Sequence, residues 1–279
     1  MRYYLPVVIS VFSLSISACQ KPALPASQSS ELKAVSTSLC GDTYLQAFAP
    51  NHIAALSWQS RSPLSKASDA QRLYPQISDS PETVMRWADY FVLFGPGEGQ
   101  TLKNKLPTSQ SLNWTEDFKG IYENALALVG ALNLSDAAVK SWYKTVKDLE
   151  KTPVKATRPT FLYLTPAGGS AGKNTFVDSA ITLAGGQNIN KTAGWHSPAL
   201  ETLLHYKPDI IVQSFANSDY YSRSNTRSPV LDTHFKNIPI IEIDGKHWPC
   251  AGPGLLEATM IIKAAIKDWT PVSRDNDDA

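Results

Sequence analysis

The chain has 279 residues, with 26 Lys and Arg set against 25 Asp and Glu, for a formal net charge of +1. That balance excludes the basic field a nucleic-acid binder needs. The length allows two lobes of about 115 residues, each with an ordinary core.

The first residues read as a processing signal. Arg2 supplies one positive charge, and Leu5 to Ile16 is apolar but shorter than the roughly 20 residues of a membrane span. Small residues then lead into Cys19, the order of a secretory signal. Ile16-Ser-Ala-Cys19 resembles the bacterial lipobox, whose cysteine is lipidated and becomes the first mature residue. The plain alternative is cleavage near Ala18 with Cys19 left unmodified. Residues 19–38 are rich in Pro, Ser and Ala and read as a flexible tether. Any membrane association is expected from lipid, not from charge.

The first lobe is expected over 39–133. A helix around Asp42 to Phe48 precedes a short apolar strand, His52 to Ser57, after which Trp58 opens a loop. Glu82-Thr-Val-Met-Arg-Trp-Ala-Asp89 is a short amphipathic helix leading into a buried strand, Tyr90 to Phe94. Gln110 to Trp114 is a weaker third strand. Thr115 to Lys151 is helical, with Phe118, Ile121, Ala125 and Leu128 at helical spacing. Its second half, within 134–153, presents Val139, Trp142, Val146 and Leu149 on one face and sits where an interlobe helix would lie.

The second lobe is expected over 154–271, followed by a polar tail, 272–279. Its strands are Pro159 to Leu164, Asp209 to Gln213 and Pro239 to Ile243, and Gly254 to Trp269 is a closing helix. Glu201-Thr-Leu-Leu-His-Tyr-Lys-Pro-Asp209 repeats the Glu82 pattern, again running into a buried strand. Strands alternating with helices argue for parallel α/β sheets. One pattern used twice implies two similar lobes and a cleft between them, lined by loops after the strand ends.

Three chemistries are poorly served. The Gly-rich loop Pro166 to Thr175 fails as a phosphate loop, because Ala167 and Asn174 stand where Gly and a hydroxyl residue are required; it reads as a strand-to-helix loop whose glycines face a ligand, or as a plain turn. No hydrolase elbow or His-Glu-x-x-His motif is present, and a triad of Ser214, His196 and Asp219 can be drawn but nothing supports it. The five histidines have no ligand spacing, which leaves direct zinc or manganese binding as a minor alternative. No resident cofactor or catalytic residue is expected.

Aromatic residues near strand ends are more informative. Trp58, Tyr74, Trp195, Phe215 and Trp248, with Ser170 of the Gly-rich loop, are the candidate ligand contacts. Together the rings suit a large, flat, partly apolar ligand such as a metal chelate. Arg61, Arg72 and Arg223 are candidate charges for an anionic chelate. Glu82 and Glu201 each open a helix, where acids favour the helix dipole; alternatively, each lobe presents one carboxylate to a two-fold partner. Of three cysteines, lipidation of Cys19 leaves Cys40 and Cys250, either as a disulfide in an oxidising compartment or as two buried thiols.

From Leu39 to about Asp268 the chain resembles the bacterial ABC-importer substrate-binding proteins of the iron-siderophore, haem and vitamin B12 type. The likeness rests on Leu39-Cys-Gly-Asp-Thr-Tyr44, Ile53 to Ser57, the Glu82 helix, Leu183-Ala-Gly-Gly-Gln-Asn188, Lys207-Pro-Asp-Ile-Ile-Val212 and Trp248-Pro-Cys-Ala-Gly-Pro-Gly-Leu-Leu-Glu257. Ala88 stands where Pro is usual. The resemblance implies an α/β fold of two Rossmann-like lobes joined by a single long interlobe helix, with the ligand cleft between them. It also implies a monomeric periplasmic lipoprotein that performs no chemistry, captures a ferric siderophore or a cobalamin-like chelate, and passes it to an ABC importer. In that family one Glu per lobe meets arginines of the transporter; the matching positions are Glu82 and Glu201. Gln20 after Cys19 points to the outer membrane. The alternative is an enzyme that reuses the fold for chelate processing or hydrolysis.

Overall fold

The computed structural model describes residues 32–102, 105–154, 156–165, 168–214 and 229–271. Cys19, Phe215, Arg223, the signal segment and the polar tail lie outside the described residues. The first lobe contains β1 (Ala34–Ser36), α1 (Leu39–Phe48), β2 (Ile53–Ser57), α2 (Asp69–Arg72), β3 (Gln76–Ile77), α3 (Pro81–Met85), β4 (Phe91–Phe94) and β5 (Ser109–Ser111). Two helices follow, α4 (Phe118–Ala131) and α5 (Ala137–Glu150). The second lobe contains β6 (Thr160–Leu164), β7 (Ser170–Ala171), α6 (Phe176–Ala184), β8 (Gln187–Asn188), β9 (Trp195–His196), α7 (Leu200–His205), β10 (Ile210–Ser214), α8 (Pro229–His234), β11 (Ile240–Ile243) and α9 (Leu255–Asp268). No helix among the described residues is long and apolar enough to cross a membrane.

Two parallel sheets result, ordered β3-β2-β1-β4-β5 and β8-β6-β10-β11, with β7 and β9 forming a separate antiparallel ribbon. The sequence repeat maps onto equivalent places in both. In each lobe the Glu-bearing helix, α3 or α7, leads into the strand that pairs with the lobe's first strand: β4 with β1, and β10 with β6. All four residues of β4 are buried, as are Phe161 to Leu164 and Ile210 to Val212. Such unbroken apolar strands are the mark of parallel sheets covered on both faces.

The tether expected over 19–38 ends earlier than its composition suggests. Ala34 to Ser36 form β1, fully buried between β2 and β4 at the centre of the first sheet. A three-residue strand is too short to show a period, so only its neighbours reveal it. Ser38 then caps α1, its Oγ accepting the Gly41 N–H at 3.2 Å.

Two glycine positions account for motifs in the sequence. Gly185 ends α6 in the left-handed region at φ 101°. Gly172, in the Gly-rich loop, lies against backbone: a Cβ there would sit 1.6 Å from the Thr192 carbonyl oxygen. This glycine serves chain-to-chain approach and not contact with a phosphate.

The chain passes from the first sheet to the second through α4 and α5. Trp142 of α5 packs edge-on against Phe48 of α1, and its indole N–H donates to the Pro253 carbonyl at 3.2 Å, just before α9. Cys40 and Cys250 are joined by a disulfide with their Cα atoms 5.4 Å apart. It links the first turn of α1 to the turn before α9, where Cys250 and Ala251 both adopt positive φ, 57° and 46°.

A buried carboxylate lies beside this junction. Asp42 of α1 accepts the Ser57 N–H at 2.9 Å and the Ser57 hydroxyl at 2.7 Å. Burial pushes its carboxyl up to about 6, against the hydrogen bonds from Ser57 and Ser36. A raised folded-state value means stability is fullest with the acid protonated and falls as pH rises from about 4 through about 6. The stability difference between Asp42→Asn and the parent protein is therefore expected to move in favour of the variant across that window, by on the order of 2–3 kcal/mol between pH 4 and pH 7. Thermal unfolding at pH 4 and pH 7 tests this; parallel pH profiles would contradict it. The disulfide closes a loop spanning 210 residues, for which chain entropy gives about 5 kcal/mol. Reductant should lower the melting temperature of the parent by several degrees and leave that of a Cys40→Ser, Cys250→Ser variant unchanged. An equal response in both would contradict the bridge.

Candidate functional site

Because each sheet is parallel, all its strand ends open on one edge, and ligands bind α/β sheets where the strand order reverses. In the first lobe that point lies between β1 and β4. There the Thr37 hydroxyl and the Gly95 N–H both donate to Glu98 Oε2, at 2.8 and 2.9 Å. Gln59 Oε1 accepts the Leu39 N–H at the start of α1 at 2.9 Å. These polar groups of the crevice are thus paired with one another, and the exposed groups stand at its flanks: Trp58 in the 3₁₀ turn after β2, 62% exposed, and Trp114 after β5, 65% exposed.

In the second lobe the reversal lies between β6 and β10. The loop after β6 folds back as β7 and pairs with β9, setting Ser170 opposite His196 and Ala171 opposite Trp195. A buried polar network supports this ribbon. The Ser170 hydroxyl donates to the Tyr163 carbonyl at 2.7 Å and accepts from Asn190 Nδ2 at 3.0 Å. The same Asn190 nitrogen lies 3.3 Å from His196 Nε2, while its Oδ1 accepts the Tyr206 hydroxyl at 3.4 Å. An aromatic cluster lies beside it. Trp195 packs on Phe176 at 4.8 Å and edge-on to Tyr163 at 6.0 Å, and Trp248 contacts the same two rings at 6.1 and 5.9 Å.

Segments leaving the two sets of strand ends meet. Lys66, in the loop after β2, lies 2.6 Å from Glu257 Oε2 of α9, and His247 Nδ1 lies 2.9 Å from the same oxygen. Burial, aided by Lys66, holds His247 below the usual imidazole range. Glu116, in the segment between β5 and α4, reaches the N-terminus of α6: its Oε2 accepts the Phe176 N–H at 2.7 Å.

The expected contacts divide accordingly. Trp58 and Trp195 are available, the latter 43% exposed, and Tyr74 is half-buried against the core. Trp248 and Ser170 are not open to a ligand in this conformation, at 3% and 2% exposure. Trp248 packs against Tyr163 and Phe176, and the Ser170 hydroxyl is engaged by backbone and Asn190. Two of the arginines expected to meet an anion, Arg61 and Arg72, hold their own loop instead. Arg72 donates to the carbonyls of Ala67, Arg61 and Ser65, and Arg61 donates back to the Arg72 carbonyl. Trp114, Glu116 and Asn190 escaped sequence reasoning. Trp114 read as the end of a weak strand and Glu116 as one acid in a helical run; only Asn190, between the two-residue strands β8 and β9, had no periodicity to mark it.

Glu82 and Glu201 are exposed, each the second residue of its helix. Of the candidate triad, Asp219 lies outside the described residues; the Ser214 hydroxyl lies 2.6 Å from the Tyr163 hydroxyl, and both His196 ring nitrogens face other groups, Asn190 and the Gly194 carbonyl. Among the described residues, no three of His, Cys, Asp and Glu gather in a way that could hold a metal ion. A separate groove of about 910 Å³ lies between α5, α6 and α9, lined by Tyr143, Lys147, Val154, Leu183, Met260 and Lys263 among others. Its lining also includes Asp117 and Phe118, which directly follow Glu116, and Ser179, whose hydroxyl donates to the Glu116 carbonyl.

No family model matches the chain, and no curated protein matches it. Solved structures do. The periplasmic heme-binding protein HutB of Vibrio cholerae superposes with a TM-score of 0.65 at 16% identity, covering 84% of this chain and 98% of that one. IsdE of S. aureus, solved with heme, gives 0.64 at 16% identity, covering 86% and 100%. The periplasmic vitamin B12-binding protein BtuF of Vibrio cholerae gives 0.63 at 14%, covering 85% and 97%. At these identities the likeness is one of fold.

Proposed function

Proceeding from the fold shared with periplasmic heme- and B12-binding proteins, we propose that the chain is an extracytoplasmic substrate-binding protein of an ABC importer. It captures a metal chelate, a ferric siderophore or a cobalamin-like or haem-like macrocycle, between the two lobes and carries out no chemistry on it. The observation that carries this reading is the set of indoles beside the strand ends of both sheets: Trp58 and Trp114 on one side, Trp195 on the other, all exposed. Indole faces bury large apolar area against a flat ligand.

In this reading Cys19 is lipidated and the tether leaves the lobes free at the membrane surface, in the periplasm and, from Gln20, on the outer membrane. The protein acts as a monomer. Glu82 and Glu201 dock onto basic pockets of the transporter's two membrane subunits. Their equivalent places, each on the helix before the strand that pairs with the lobe's first strand, support a two-fold partner.

Tryptophan emission should quench saturably with at least one of cyanocobalamin, haem and ferric siderophores, added one at a time. No response to any of them would contradict the reading. Glu82→Ala combined with Glu201→Ala should lower uptake about tenfold or more at unchanged ligand affinity. A loss of affinity in that variant would contradict the docking role.

A further inference from the structure

Glu116 makes more contacts than helix capping needs. Its Oε2 is held by the Phe176 N–H at 2.7 Å, and its backbone carbonyl accepts the Ser179 hydroxyl at 2.8 Å. Both partners belong to α6 of the second lobe. With Oε2 engaged, the carboxylate cannot turn freely, and Oε1 is set in place. Two indole N–H groups converge on that oxygen: Trp114 of the first lobe at 3.0 Å and Trp195 of the second at 3.4 Å. Phe176, whose N–H fixes the carboxylate, also packs its ring on Trp195 at 4.8 Å.

An indole has one N–H donor. Anchoring it to a fixed acceptor restricts the ring, and a charged acceptor makes the bond stronger than a neutral one. Yet Trp114 and Trp195 both stay largely exposed, so ring surface is held in orientation without being covered. An exposed aromatic ring restrained in this way loses less conformational freedom when a ligand covers it.

We propose that Glu116 is a positioning residue that joins Trp114 and Trp195, one from each lobe, into a single oriented aromatic wall for the ligand. The proposal rests on the reading of this face as the ligand site. Glu116 need not touch the ligand; it acts through the two rings. Ligand affinity then depends on a carboxylate at the junction of the lobes, and the two indoles respond together.

The test uses the full mature chain labelled with ¹⁵N-tryptophan. Trp114→Phe and Trp195→Phe assign the two indole N–H resonances. Glu116→Ala should shift both upfield in the proton dimension, as expected when a hydrogen bond to a carboxylate is lost, and Glu116→Gln, which keeps a carbonyl acceptor, should retain part of the shift. The same Ala variant should bind whichever of cyanocobalamin, haem and the ferric siderophores quenches the parent about tenfold more weakly. A role confined to capping α6 predicts a lower melting temperature with both indole resonances unmoved, and that result overturns the proposal. So does movement of only one resonance. If Glu116→Ala does not fold, the Gln variant decides by the same two resonances. If neither of these probes nor any ferric siderophore quenches the parent, the ligand reading fails, while the resonances still decide whether Glu116 couples the indoles.

Discussion

Parallel pairing is the constraint from which the rest of the molecule follows. It requires each strand to return by a crossover, so helices cover both faces of each sheet, and every strand leaves its sheet on one edge. In the first lobe Thr37, Trp58, Gly95 and Trp114 stand just past that edge; in the second, Thr165 leads out of β6 toward the ribbon that β7 forms with β9. Cys40 to Cys250, Lys66 to Glu257 and Glu116 to Phe176 all join segments that leave strand ends. The junction between lobes is therefore built from the same loops that carry the exposed indoles.

The polar groups beside this edge are mostly spent on structure. Glu98 takes the donors of the first lobe's crevice, Asn190 organises the ribbon of the second, and Arg61 and Arg72 secure each other's loop. What is left for a guest is largely aromatic surface. A face of this kind recognises shape and apolar area, with orientation supplied by a few fixed polar atoms.

Much of the fold was legible because its signals are local and strong. Phe91 to Phe94 and Phe161 to Leu164 are continuous apolar runs, and the Glu82 and Glu201 repeats fall on equivalent helix-to-strand units. Ala34 to Ser36 was hidden because three residues carry no period; burial between two neighbours makes them a strand. The site was less legible. An aromatic residue after a strand can face solvent, as Trp58 does, or fold under its neighbours, as Trp248 does, and the sequence around each does not distinguish them. Trp248 lies against Tyr163 and Phe176, 85 and 72 residues away in the chain. Glu116 was missed because its meaning depends on Trp195 and Phe176, which lie 79 and 60 residues away.

The central claim is that a bulky guest is held between the strand ends of the two sheets. A crystal structure of the protein with the chelate that quenches its tryptophan emission tests this most directly. The account predicts density between the lobes, in contact with Trp58 on one side and Trp195 on the other. A ligand seated instead in the groove between α5, α6 and α9, or a lone ion in place of a chelate, would contradict it.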